Sequence, residues 1–188
     1  MVITVTLMTK IYLPLQAKAE QLHCQSHLKN LWIATHAYTS NYGDRLPHED
    51  KGGSQPPHDS AWTQVLDISP YEMSIGDGTI GYNIKMNSRL EDFRGTKELP
   101  SESFRHLPNL PVPYLTPYLF DGRFDEWYQN KMYGSPSSVQ PRHDLESNFL
   151  FLDGSARELF ELPKPGGGWS GHGNILWDPD VGIEKQRL

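Results

Sequence analysis

One long helical period constrains this chain more than any other feature of its sequence. Cys24, Leu28, Leu31, Thr35, Tyr38 and Tyr42 recur at alternating steps of four and three, the spacing of one face of an α-helix. Lys18, Glu20, Gln25, Lys29 and Asn30 fall away from that stripe. Gly43, followed by Asp44, suits a left-handed C-terminal cap, so the pattern predicts a helix over about residues 11–42. At ~1.5 Å per residue that helix is roughly 48 Å long. It is too long to bury against a small domain, and its N-terminal part is expected to project or to meet a partner. Pro14 is expected to kink the helix or to mark its start.

Downstream, the strand signals gather late. Residues 114–120, 148–152 and 155–160 are short runs that carry aromatic and leucine side chains. Asp153-Gly154 between the last two predicts a hairpin with both turn residues at positive φ. A short helix is expected over residues 61–66, with Ser60 as its N-cap and Trp62, Val65 and Leu66 facing inward. Residues 47–60 have loop composition, 79–112 show scattered turns and little periodicity, and 163–188 read as a tail that wraps the domain. The expected fold is α+β: a long N-terminal helix on a small antiparallel sheet with long loops. It divides into a helical stalk, residues 1–43, and a globular domain, residues 44–188.

Composition fits this outline and excludes several classes. Hydrophobic residues make up 37% of the 188, against 16 Gly and 15 Pro, a balance that suits long connections around a modest core. A formal charge of −6 argues against a nucleic-acid partner, because phosphate binding needs a basic surface. The lone Cys24 rules out an internal disulfide and any CxxC site, and it reads as a small buried hydrophobe on the helix stripe. No stretch reaches the ~20 apolar residues of a membrane-spanning helix. The apolar N-terminus carries Lys10, lacks a basic flank and a cleavage site, and reads as the end of a longer segment.

Several blocks now fall into a known order. Residues 11–20, then Cys24-Gln25-Ser26-His27-Leu28-Lys29-Asn30-Leu31, then 38–47 resemble the N-terminal region of pseudopilin-like, prepilin-type proteins. Trp62, Leu66 and Tyr71 are similar to that family's Trp segment, and Gly81-Tyr82-Asn83 to its Tyr-Asn turn. His143, Asn148, Asp153 and Gly154 match its His-x9-Asp-Gly signature, with nine residues between His143 and Asp153. The resemblance rests on the order of these blocks across most of the chain. It implies a pilin-like fold and a non-enzymatic structural subunit of a type II secretion-like or type IV pilus-like system. Expected partners are other pilin-like subunits through the N-terminal helix, with Leu15, Leu22, Leu28 and Leu31 as the assembly face, and the secretion or pilus machinery. The family's charged leader, Gly-Phe processing site and early glutamate do not precede Val2. The implied place in the cell envelope, and contact with the membrane, therefore presuppose a leader encoded upstream.

The chemistry-bearing residues have plainer readings beside the functional ones. His143 with Asp153 has the makings of an acid-base or metal pair, but Asp153 is also what a tight turn wants, and a structural role is expected. No cofactor is expected. Asp121, Asp144, Glu146 and Asp153 are the oxygen donors to consider for calcium, although their spacing matches no defined calcium loop. His48, Glu49, Asp50, His58 and Asp59 read as a solvated loop, and residues 166–173 as a flexible tail without the Gly-Lys-Ser/Thr of a phosphate loop. Trp127, Tyr128, Trp169 and Trp177 are expected to plug the fold. The rival is an envelope-anchored carbohydrate- or protein-binding module that uses these aromatics.

Overall fold

The computed structural model describes residues 2–44, 46–47, 62–66, 84–88, 90, 112–122, 133–134, 136–141, 146–160, 175 and 177. The helical period produces α1, Val2–Asn41, of 40 residues, or ~60 Å at 1.5 Å per residue. It starts nine residues earlier than the period suggests and runs through Pro14 without ending there. The missing Pro14 N–H removes one helix hydrogen bond, and the flanking turns carry the helix across that gap. At the other end Gly43 takes φ +65° and Asp44 φ +62°. The Asp44 N–H closes back on the Thr39 carbonyl at 2.8 Å, satisfying a carbonyl that the helix leaves open. The expected glycine stop is therefore realised at Gly43.

The helix covers a sheet of five strands in the order β3-β1-β2-β4-β5. These are β1 (Ile84–Asn87), β2 (Pro117–Asp121), β3 (Tyr133–Gly134), β4 (Glu146–Phe151) and β5 (Ala156–Phe160). The pairs β1–β2, β2–β4 and β4–β5 are antiparallel, and the short β3 joins β1 in parallel. A short helix, α2 (Trp62–Val65), lies where a helical turn is expected, and its Trp62 is fully buried.

Two strands differ from their sequence reading. The run at 114–120 becomes a strand only from Pro117, because Leu115 N–H bonds the Val112 carbonyl at 2.9 Å and holds the preceding segment in a turn. Proline at a strand's first residue costs no ladder bond. β1 is buried at every position, including Lys85 and Asn87. Its sequence does alternate apolar Ile84 and Met86 with polar Lys85 and Asn87, but over only four residues, too short a run to stand out from the turns around it.

Alternation along the strands builds two cores, one on each side of the sheet. Leu28 and Leu31 of α1 pack with Trp62, Ile84, Met86, Tyr118, Leu119, Leu150 and Leu152 on the helix side. Phe120, Val139, Phe149 and Phe151 form the opposite layer, against which Leu159, Ile175 and Trp177 pack. A register shift between Pro117 and Leu119 places Tyr118 and Leu119 together on the helix side. There the Tyr118 hydroxyl lies 3.2 Å from Thr35 Oγ1, which itself donates to the Leu31 carbonyl at 2.8 Å. Burial pushes the Tyr118 phenol well above the ordinary tyrosine range, with the Thr35 hydrogen bond opposing it and Tyr38 adding to it. This phenol stays protonated and serves the packing.

Candidate functional site

α1 presents two stripes, and only one of them meets the sheet. Gln21, Cys24, Leu28, Leu31, Thr35 and Tyr38 are buried. Tyr12, Leu15, Ala19 and Leu22 follow the same three-and-four spacing on another face and are exposed, as is Ile33 further along. At 100° per residue the two stripes point about 170° apart. Tyr12 is 67% exposed, Leu15 64% and Leu22 55%, whereas Leu28 and Leu31 are 1% and 4% exposed. The expected assembly face of Leu15, Leu22, Leu28 and Leu31 is thereby corrected. Leu28 and Leu31 belong to the domain's own core, and Leu15 and Leu22 remain on the outer side.

The outer stripe is apolar where the helix leaves the sheet. Its later positions are Ser26 and Lys29 before Ile33. Lys18 is the most N-terminal residue whose described hydrogen bonds reach the sheet, through Glu158. Residues 2–17 lie beyond that point, a further ~24 Å of helix. No helix among the described residues is long and apolar enough to cross a membrane.

The signature residues are structural where they are described. Asp153 and Gly154 lie in the loop between β4 and β5, flanked by a Phe151 N–H bond to the Ser155 carbonyl at 2.9 Å. Only Gly154 has positive φ, +82°, so the expected pair of left-handed residues is corrected to one. Between the bonded Phe151 and Ser155 the turn holds three residues, 152–154, closed by Gly154 N–H on the Phe151 carbonyl with a left-handed third residue. Asp153 Oδ1 accepts from Ser155 N–H at 2.9 Å and from Ser155 Oγ at 2.6 Å, which locks the turn from within. Gly154 also lies under Trp32, where a side chain would meet the indole. Sequence reasoning missed Trp32, because it sits at the edge of the buried stripe. His143 lies outside the described residues.

Among the described residues, the expected calcium donors Asp121, Glu146 and Asp153 are not brought together. Asp121 is buried, and its Oδ2 accepts from Asn148 N–H at 2.7 Å and Asn148 Nδ2 at 3.0 Å. Glu146 Oε2 instead accepts from Gln21 Nε2 at 3.0 Å, at the far end of β4 from Asp153. Asp144 lies outside the described residues. Among the described residues no three His, Cys, Asp or Glu side chains form a metal-ligand group. Asp121 thus serves β4: Asp121→Asn keeps the shape but exchanges charged for neutral hydrogen bonds. A loss of about 2 kcal/mol is expected, read by urea unfolding.

Of the four aromatics weighed for a binding platform, only Trp177 is described. Its ring meets Phe120 and Phe149 edge-on at 5.2 and 6.1 Å, and its carbonyl accepts from Asn87 Nδ2 at 2.9 Å. Trp177 packs against the sheet. Trp127, Tyr128 and Trp169 lie outside the described residues, as do the acidic-His loop (His48, Glu49, Asp50, His58, Asp59) and residues 166–173. Contacts the sequence did not flag join Gln21 of α1 to β4 and β5. Gln21 Nε2 bridges Glu146 and Glu158, and Lys18 Nζ lies 3.4 Å from Glu158 Oε2.

Comparison with protein-family models, with curated proteins and with solved structures finds no match for this chain. The two faces of α1 and the order of the sequence blocks therefore carry the functional reading.

Proposed function

We propose that this chain is a non-enzymatic, pilin-like structural subunit of a bacterial type II secretion-like or type IV pilus-like system. It assembles with other pilin-like subunits through the outer stripe of α1 and presents the sheet domain outward. The observation that supports this reading is the division of one helix into two apolar faces. The inner face is covered by the chain's own sheet, while Tyr12 and Leu15 stay exposed along the part that extends past it and Leu22 stays exposed on the side turned away from it. A stripe at heptad-like spacing is what one helix needs to pack along another. The place in the cell envelope rests on the resemblance and on a leader encoded upstream.

Sedimentation of the full chain tests the assembly step. Self-association that grows with concentration is expected for the wild type. Leu15→Asp with Leu22→Asp should weaken it by about a hundredfold or more while leaving helical circular dichroism and thermal midpoint unchanged. Wild type and double variant that sediment alike across the whole concentration range would remove the outer stripe as the assembly surface.

A further inference from the structure

The turn between β4 and β5 contains a bond with chemistry of its own. Aspartate followed by glycine is the pair most open to succinimide formation, because no side chain on the second residue shields its main-chain nitrogen from the carboxyl carbon before it. Asp-Gly occurs at residues 77, 121 and 153, and the first of these lies outside the described residues. Asp121 is buried, whereas Asp153 is exposed to the water that the reaction exchanges.

The turn holds the reacting atoms of Asp153 and Gly154 apart. The Gly154 N–H, on the attacking nitrogen, is spent on the Phe151 carbonyl at 2.9 Å. A three-residue loop closed in this way is built on a type I turn, whose second inner residue has ψ of about 0°. Asp153 occupies that place. At that angle Cβ and the next main-chain nitrogen are turned well apart about the Cα–C bond, whereas a five-membered ring needs them nearly eclipsed. The carboxyl group is held as well. Its Oδ1 accepts from Ser155 N–H at 2.9 Å and from Ser155 Oγ at 2.6 Å, one residue beyond the nitrogen that the carboxyl carbon would have to meet.

We infer that Asp153-Gly154 is a latent isoaspartate site and that Ser155 keeps it closed. The reaction needs only water. Gly154 N bonds to Asp153 Cγ, and the amide proton leaves with the carboxyl hydroxyl as water. Water then opens the ring at Cγ, which restores aspartate, or at the main-chain carbonyl, which gives isoaspartate. In isoaspartate the main chain runs through Cβ and is longer by that carbon. The longer turn moves Gly154 from its place against Trp32, where there is no room even for a methyl group. Ser155 thus guards the seat of α1, whether or not the outer stripe binds another subunit.

Ageing of the full chain below its thermal midpoint tests this, with electron-transfer mass spectrometry of its peptides reading isoaspartate at each Asp-Gly bond. Folded wild type is expected to keep aspartate at Asp153, while the same chain in urea accumulates isoaspartate there. Ser155→Ala removes one hydrogen bond to a carboxylate and should speed the reaction at Asp153 about tenfold. Asp121-Gly122, the internal reference, should be unchanged. Ser155→Thr keeps a hydroxyl and should age as slowly as wild type. Folded wild type that reacts at Asp153 as fast as the chain in urea overturns the inference. So does a Ser155→Ala rate equal to wild type, or one raised equally at both bonds, which marks a general loosening. If Ser155→Ala does not fold, Ser155→Cys, close in size but a weak donor, carries the same decision.

Discussion

Leu28→Ala should cost about 2–5 kcal/mol of unfolding free energy, while Leu22→Ala, six residues earlier on the same helix, should change it by no more than about 0.5 kcal/mol. Leu28 is fully enclosed between α1 and the sheet, in contact with the helix-side core, and truncation leaves a cavity that close-packed neighbours cannot fill. Leu22 points to the other side and loses little on folding. Urea unfolding at unchanged slope reads both values. The order should reverse in assembly: Leu22→Ala weakens self-association of the full chain, and Leu28→Ala, at temperatures where it remains folded, leaves it intact. Equal stability losses at the two positions would mean that the outer stripe is covered within the monomer, and the assembly reading would lose its surface.

Gly154→Ala should be the most damaging single methyl addition at the signature. At φ +82° any L side chain is strained, by about 1–2 kcal/mol for a left-handed residue. The added Cβ would also lie 2.7 Å from Trp32 Cδ1 and nearer still to Nε1. Trp32 has little freedom to yield, because its ring packs edge-on to Tyr118 at 6.2 Å and against the helix-side core. Overpacking of this kind adds about 1–3 kcal/mol, so a total near 3 kcal/mol is expected. A double-mutant cycle separates the parts. In a Trp32→Ala background the same Gly154→Ala change should cost only the conformational share, about 1–2 kcal/mol. An undiminished cost there would show that the indole is not what the glycine accommodates. The physical meaning of Asp153 and Gly154 is then a seat for the helix: Asp153 locks the turn, and Gly154 lets α1 approach it.

The legible parts of this fold are those made by neighbours in sequence. The stripe from Cys24 to Tyr38, the cap at Gly43 and the turn at Asp153 and Gly154 each depend on a few consecutive residues, and each is present. The α+β arrangement follows from them. Grouping Leu15 and Leu22 with Leu28 and Leu31 fails for a reason visible in the residue numbers. Leu22 and Leu28 are six positions apart, roughly 240° around a helix, so they cannot share a face. The start of α1 is harder to read, since Pro14 obscures a helix that continues through it.

The order of residues along the chain is enough to establish that a long helix exists, where it stops, and that a hairpin closes the last described pair of strands. Three-dimensional packing settles which helix face meets the sheet, that Lys85 and Asn87 belong to a buried strand, and that Asp121 serves Asn148 and not a calcium loop. Packing also brings Gln21 to Glu146 and Glu158, across separations of 125 and 137 residues. Local periodicity fixes which side chains point together. Contacts between residues far apart in the chain depend on how the whole core packs, and no local pattern encodes them.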